Sequence, residues 1–252
     1  MRVVSFLMMS FVLSSTAQAQ RLDDVHTVVA RSTWDPGFAG LVDEVVYDNA
    51  SVFCQRPTLA QSQTFSPPTA LATQTPCGGP WLKAAKVDDD DVPASIVIHH
   101  SDFADSPGPV VIRDYHLQVA GYSDIAYHFV VMPDGRIYEG RPIHLLGAHA
   151  GISAEGRTDK SRDPDFHAIG IVLDGFYGID GPPPAQTQAL AWLVHALRER
   201  YDVAAHRIYG HRDVKQHLVE ARGLHLDSTP TTCPGAAAYP LVGVIRAREL
   251  LE

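Results

Sequence analysis

Four side chains at the ends of apolar runs could hold a metal. His99 and His100 close the run Ile96-Val-Ile98, His211 follows Ile208-Tyr-Gly210, and Cys233 stands 22 positions later in Thr231-Thr-Cys-Pro-Gly235. Two imidazoles and a thiolate form a Cys-His-His set of the kind that holds catalytic zinc, with three protein ligands and a fourth position open for water. Adjacent strand residues point to opposite faces, so only one of His99 and His100 can face a given site. Parity alone does not choose between them. With 13 His in the chain, spacing by itself is only moderately specific.

The cysteine count adds to this. Three Cys is an odd number for an exported chain. Cys54 and Cys77 lie in a stretch rich in Pro, Thr, Gln and Ser, and an oxidising compartment favours pairing them, a closure that stabilises by about 3 kcal/mol. Cys233 is then the spare thiol, and a metal is its natural occupant.

The elements that must position these residues alternate between strand and helix from Ala94 onward. Ser95 to His99 is a β-branched run, the mark of a strand buried on both faces. The pattern predicts a helix over 110–120, ended by Gly121, and strands over 126–132 and 136–139 flanking the turn Pro133-Asp134-Gly135. Ala168 to Leu173 reads as a second buried strand. Thr187 is placed to cap a helix reaching Tyr201, with Leu190, Leu193, Val194 and Leu197 at helical spacing. A short strand, 208–210, leads into His211, and a last helix covers 239–251. This is an α/β fold with a mixed central sheet flanked by helices.

Residues 20–92 read as an irregular extension before a main domain over 93–252, without internal repeats. Its acidic run Asp88–Asp91 is a solvated loop rather than a calcium site, because contiguous carboxylates lack alternate spacing. Residues 1–19 have a signal-peptide pattern: Arg2, a short apolar core, and Ala17-Gln-Ala19 as the cleavage site. No Cys follows that core, and no other stretch is apolar enough for a membrane helix. A secreted or periplasmic protein without a membrane anchor, and a monomer, is expected. Losing the leader takes the formal net charge from −9 to −10, since it carries one Arg and no acid. That balance argues against nucleic acid as a partner.

Seven blocks then appear in a recognisable order: Ile96-Val-Ile-His-His-Ser101, Gly121-Tyr-Ser-Asp-Ile-Ala-Tyr-His-Phe129, Asp134-Gly-Arg-Ile-Tyr-Glu-Gly-Arg141, Gly147-Ala-His149, Ile169-Gly-Ile171, Gly210-His-Arg-Asp-Val214 and Thr231-Thr-Cys-Pro-Gly235. Together they resemble the N-acetylmuramoyl-L-alanine amidase type 2 family, which includes phage T7-type lysozyme and the peptidoglycan recognition proteins. Arg31-x-x-Trp34 also resembles the opening of the recognition-protein branch. The resemblance covers about 94–251.

It implies a zinc site in a surface groove, with His99, His211 and Cys233 as ligands and His100 as a neighbour near the groove. It implies that Tyr127 and Thr231 flank the metal and assist hydrolysis of the bond between N-acetylmuramic acid and L-alanine in peptidoglycan or a muropeptide. Tyr127 would donate to the oxyanion or orient water, and Thr231 would position rather than act as base. His149 falls in a groove-lining segment, where it either contacts substrate, as His100 is also expected to, or packs the loop. Asp213 is assigned to a turn and Arg141 to pairing with a neighbouring acid. Val172 stands where some bacterial relatives carry a Glu acid/base candidate, which moves the implied mechanism onto Tyr127 and Thr231. Asp174 is not given a catalytic role. The segment 216–230 is longer than the usual family loop. A peptidoglycan-binding domain that does not cut is the alternative, and retention of Cys233 disfavours it.

Overall fold

The elements are β1 (Val28–Val29), α1 (Arg31–Trp34), β2 (Ser95–His100), α2 (Pro109–Gln118), β3 (Phe129–Val131), β4 (Ile137–Glu139), β5 (Ala168–Leu173), α3 (Pro184–Tyr201), β6 (Ile208–Gly210) and α4 (Tyr239–Glu249). This computed structural model describes residues 26–35, 93–119, 124–143, 147–150, 164–165, 167–214 and 231–251. The leader at 1–19, Cys54 and Cys77, the acidic run 88–91 and the segment 216–230 lie outside the described residues. No helix among the described residues is long and apolar enough to cross a membrane.

The β-branched runs form one six-stranded sheet in the order β1-β4-β3-β5-β2-β6. β2 pairs in parallel with β5 from Ser95↔Ala168 to His100↔Leu173, and with β6 from Ile96↔Ile208 to Ile98↔Gly210. β3 pairs in parallel with β5, while β3 and β4 form the antiparallel hairpin, so the sheet is mixed as expected. Strand β3 is shorter than predicted. Residues 126–128 precede the regular strand, and there Ala126 donates its N–H to His116 Nδ1 rather than to a neighbouring strand.

Alternation along the strands divides the core between two faces. Ile96, Ile98, Ile169, Ile171 and Leu173 face α3 and α4, where Leu190, Leu193, Val194 and Leu197 of α3 are buried against them. Each such side chain contributes about 1.5–3 kcal/mol by burial. On the other face Val172 packs with Phe103, Ile112 and Tyr115 beside α2. Helix α3 starts at Pro184 with no side-chain cap, and Thr187 lies inside its first turn, donating its N–H to Pro183 O. Proline suits that start because its fixed φ is already helical and it has no N–H to satisfy.

Part of the extension also joins the sheet. β1 pairs in parallel with β4, through Val28↔Ile137 and Val29↔Tyr138. Arg31 is 3% exposed and donates to Asp124 Oδ1 at 2.7 Å, Asp35 Oδ2 at 2.7 Å and Gly140 O at 3.0 Å. Its guanidinium carbon lies 4.3 Å from the centre of the Trp34 ring, whose Nε1 donates to Glu139 O. The Arg-x-x-Trp spacing thus bolts the N-terminal segment to β4 and to the start of the segment bearing Tyr127.

Removing one partner from a buried ion pair strands the other charge in a poorly solvated place, at a cost of about 3–5 kcal/mol. Arg31→Met is therefore expected to lower unfolding free energy in urea by about 3 kcal/mol or more. A loss below about 1 kcal/mol would show that Asp124 does not depend on Arg31.

Candidate metal centre

Parallel pairing sets Ile98 of β2 beside Gly210, the last residue of β6, and the next residues are His99 and His211. Their ring centres are 4.6 Å apart. Cys233 reaches the same point from a loop tied to both: Arg212 N–H donates to Cys233 O at 2.9 Å, and His100 N–H points at Cys233 Sγ at 3.5 Å. Gly235 holds the loop's shape. Its φ is +97°, and a Cβ there would lie 2.3 Å from Tyr177 O, so only glycine fits.

His99 Nδ1 lies 3.6 Å from Cys233 Sγ. Candidate ligand atoms of His99, His211 and Cys233 all fall within 4.8 Å of one another. Tetrahedral zinc, with bonds of about 2.05 Å to nitrogen and about 2.3 Å to sulfur, separates an N,S pair by about 3.6 Å. Donor chemistry and spacing both fit the metal. The strand alternation left open in the sequence is now settled by position. His99 shares its face with Val97 and turns towards His211 and Cys233, whereas His100 stacks on Phe176 with ring centres 6.3 Å apart.

A pocket of about 550 Å³ opens beside this cluster, lined by His100, Asp102, Tyr127, Phe176, Thr231 and Cys233 among others. Phe103, Ile112 and Tyr115 give it an apolar wall. Tyr127 is half-buried, its ring 5.1 Å from that of His99 and 5.4 Å from that of His116. Thr231 Oγ1 accepts the Cys233 N–H at 3.2 Å, which leaves its hydroxyl proton available to another acceptor.

Of the two alternatives open for His149, substrate contact and loop packing, its burial fits packing. Its side chain is fully buried behind His99, with Nδ1 3.1 Å from His99 Nε2, so it cannot touch a ligand in the pocket. The bare backbone of Gly170 on β5 makes room for that ring. Arg141 is 1% exposed and donates to Ile125 O and Asp124 O, holding the backbone just before Tyr127. Asp213 takes the turn role: Oδ2 accepts Gly210 N–H at 2.9 Å and Oδ1 accepts the Tyr239 hydroxyl. Asp174 is buried and accepts from Ser101 Oγ and Gly108 N–H, while Val172 packs in the core.

Three residues escaped the sequence reading. His116 and Asp102 line the pocket, and Asp165 accepts the backbone N–H groups of His149 and Ala150. Helical spacing with Ile112 could have put His116 on the inner face of α2. Nothing in the pattern around Asp165 marks it.

A model of the N-acetylmuramoyl-L-alanine amidase family matches residues 89–236. The chain belongs to this family. Among curated relatives, peptidoglycan recognition protein 1 of Bos indicus is 34% identical over 110 residues, 42% of this chain and 52% of that one. The N-acetylmuramoyl-L-alanine amidase of Sus scrofa is 31% identical over 133 residues, 52% of this chain and 18% of that one. The chain thus spans about half, or less, of the length of these relatives. The solved amidase LysC of Clostridium intestinale aligns with a TM-score of 0.48 at 28% identity, covering 66% of this chain and 90% of its own. The family therefore includes relatives named for recognition and relatives named for hydrolysis.

Burial sets the protonation states around this amidase-family site. It pushes His100 down to about 4 and Asp102 up to about 6. Burial, followed by the charge of Arg141, pushes His116 down to about 3. Neutral His116 is what lets Nδ1 accept the Ala126 N–H at 3.0 Å. Unfolded, His116 titrates near 6.5, so its contribution is fully present above that pH. It is lost progressively as pH falls towards about 3, by up to about 1.4 kcal/mol per unit.

His116→Asn offers an amide oxygen in place of Nδ1 and does not titrate in this range. Urea unfolding of this variant should vary less steeply between pH 6.5 and 4 than unfolding of the parent. Identical slopes would mean that His116 is not held neutral in the fold.

Proposed function

We propose that this chain is an exported, zinc-dependent N-acetylmuramoyl-L-alanine amidase that cuts the amide between N-acetylmuramic acid and L-alanine in peptidoglycan or its fragments. The observation that carries the reading is the meeting of His99, His211 and Cys233 within 4.8 Å at the edge of a pocket that Tyr127 also lines. His99, His211 and Cys233 would hold the ion. When bound, zinc supplies Lewis acidity that polarises an amide carbonyl and makes water acidic enough to attack near neutral pH.

The chain's own groups do the rest. The Tyr127 phenol donates a hydrogen bond to the carbonyl oxygen as negative charge develops there, an interaction stronger in the transition state than in the ground state. Its aim is kept by tilted ring contacts with His99 and His116 and by Arg141, which holds the Ile125 carbonyl just before it. Thr231, bonded to the Cys233 N–H, orients a polar group beside the same spot. Phe103, Ile112, Tyr115 and Phe176 shield one side from water, while His100, Ser101 and Asp102 offer polar contacts to sugar or stem. Export rests on the leader pattern in residues 1–19, and monomeric action is part of the same reading.

The rival is a domain that binds muropeptide without cutting it, a reading prompted by relatives named for peptidoglycan recognition. Full retention of the Cys-His-His set favours hydrolysis, because binding alone does not require a buried thiol beside two imidazoles.

Digestion of purified peptidoglycan separates the two. The zinc-loaded protein should release stems with new free amino groups on L-alanine, and Cys233→Ala should abolish release. Tyr127→Phe should keep zinc but lower turnover on the order of 10²-fold, by analogy with loss of an oxyanion donor. Sacculi and purified muropeptides both left uncut by the zinc-loaded protein would overturn the hydrolytic reading.

A further inference from the structure

We propose that His149, held by Asp165, is a positioning residue that fixes the ring orientation and tautomer of His99 for metal binding. The inference rests on the zinc reading of the preceding section and extends it one layer outward. His99 presents Nδ1 to Cys233 Sγ at 3.6 Å and Nε2 to His149 Nδ1 at 3.1 Å. A neutral imidazole has one N–H and one lone pair, so a ligating Nδ1 leaves the proton on Nε2. That N–H points at His149 Nδ1, which must then be the acceptor and carry its own proton on Nε2. Metal-bound imidazoles commonly give their second N–H to such a partner, which fixes both the tautomer and the ring plane.

The acceptor is itself pinned. Asp165 Oδ1 accepts the His149 N–H at 3.0 Å and the Ala150 N–H at 2.7 Å, which fixes the turn that carries the ring. The same oxygen lies 3.4 Å from His149 Nδ1, but two backbone donors already engage it. The ring occupies space that two glycines leave open. A Cβ on Gly170 would lie 2.3 Å from His149 Cδ2, and one on Gly147 would lie 2.5 Å from the same atom. Side chain and partner carboxylate are 0% and 2% exposed, so water does not compete for the His99 N–H. A loosely packed core histidine would need neither glycine cradle nor capped turn.

Two near-isosteric substitutions separate acceptor from filler. In His149→Asn the amide oxygen can replace Nδ1, whereas His149→Leu has similar bulk and no acceptor. Zinc affinity of the full chain is measured by competition with a chromophoric chelator, alongside thermal melting of the metal-free proteins. His149→Leu should bind zinc about 10–100-fold more weakly than the parent. His149→Asn should retain most of the affinity, with metal-free melting alike in both. If His149→Leu does not fold, His149→Ala takes its place in the comparison.

Leu binding as tightly as the parent, or Asn binding as weakly as Leu, would overturn the proposal. A parent chain that takes up no zinc would overturn both this inference and the metal reading beneath it. The expected affinity order in a protein that leaves peptidoglycan intact would uphold the positioning role and remove hydrolysis alone.

Discussion

Adjacent residues of an extended strand face opposite ways, and β2 ends in two histidines. One of them, His99, must lie on the face that carries Val97, and the other, His100, on the face that carries Ile96 and Ile98. Parallel pairing with β6 brings His211 to the same end of the sheet as His99. These two facts fix where a metal can sit before any loop is considered. Cys233 need only arrive at that point, and its loop is fastened there through Arg212 N–H and the glycine turn after it. A one-residue slip of β2 would exchange its two buried faces, breaking the packing on both and sending His99 to the face of Ile98. The site therefore inherits the rigidity of the core.

Around that point the fold buries more polar groups than a simple α/β core requires. Arg31, Arg141, His116 and His149 are all below a tenth exposed. Buried polar groups are tolerated when hydrogen-bonded and costly when not, so such groups specify one arrangement of the backbone they hold. Three of the four grip the same stretch, residues 124–126: Arg31 through Asp124 Oδ1, Arg141 through Asp124 O and Ile125 O, and His116 through the Ala126 N–H. Tyr127 follows directly. Its ring is thus placed by irregular but over-determined backbone, which explains why β3 begins only at Phe129.

Much of this was legible in the sequence. β-Branched runs gave β2 and β5, apolar spacing gave α3, and the order of seven short blocks gave the family. His211 and Cys233 stood out because an odd thiol and a His after a strand are visible in one dimension. The rest depends on contacts that periodicity does not encode. The resemblance put His149 in a groove-lining segment, with substrate contact and loop packing both open, and only the fold shows that the bare backbone of Gly170 makes room for its ring beneath the site. Asp165 works through backbone N–H groups 15 and 16 residues away, and no local pattern announces that. The start of α3 was misplaced at Thr187 because a capping hydroxyl is a common signal, whereas Pro184 starts the helix through its fixed φ.

Burial around the site also selects protonation states, and the choices agree with one another. A ligand must offer a lone pair, and so must an acceptor of backbone or imidazole N–H. His100, His116 and His149 are all pushed towards the neutral form by burial. Two of these neutral rings accept backbone donors, His100 from Tyr177 N–H and His116 from Ala126 N–H. A cationic ring in any of these places would lose an acceptor and set a positive charge near the point where a divalent ion would bind. The same dry surroundings that keep these imidazoles neutral would strengthen the field of an ion held at His99, His211 and Cys233, because low dielectric screens charge poorly. Desolvation, which penalises a solitary buried charge, here keeps these imidazoles in the neutral form that can accept a hydrogen bond.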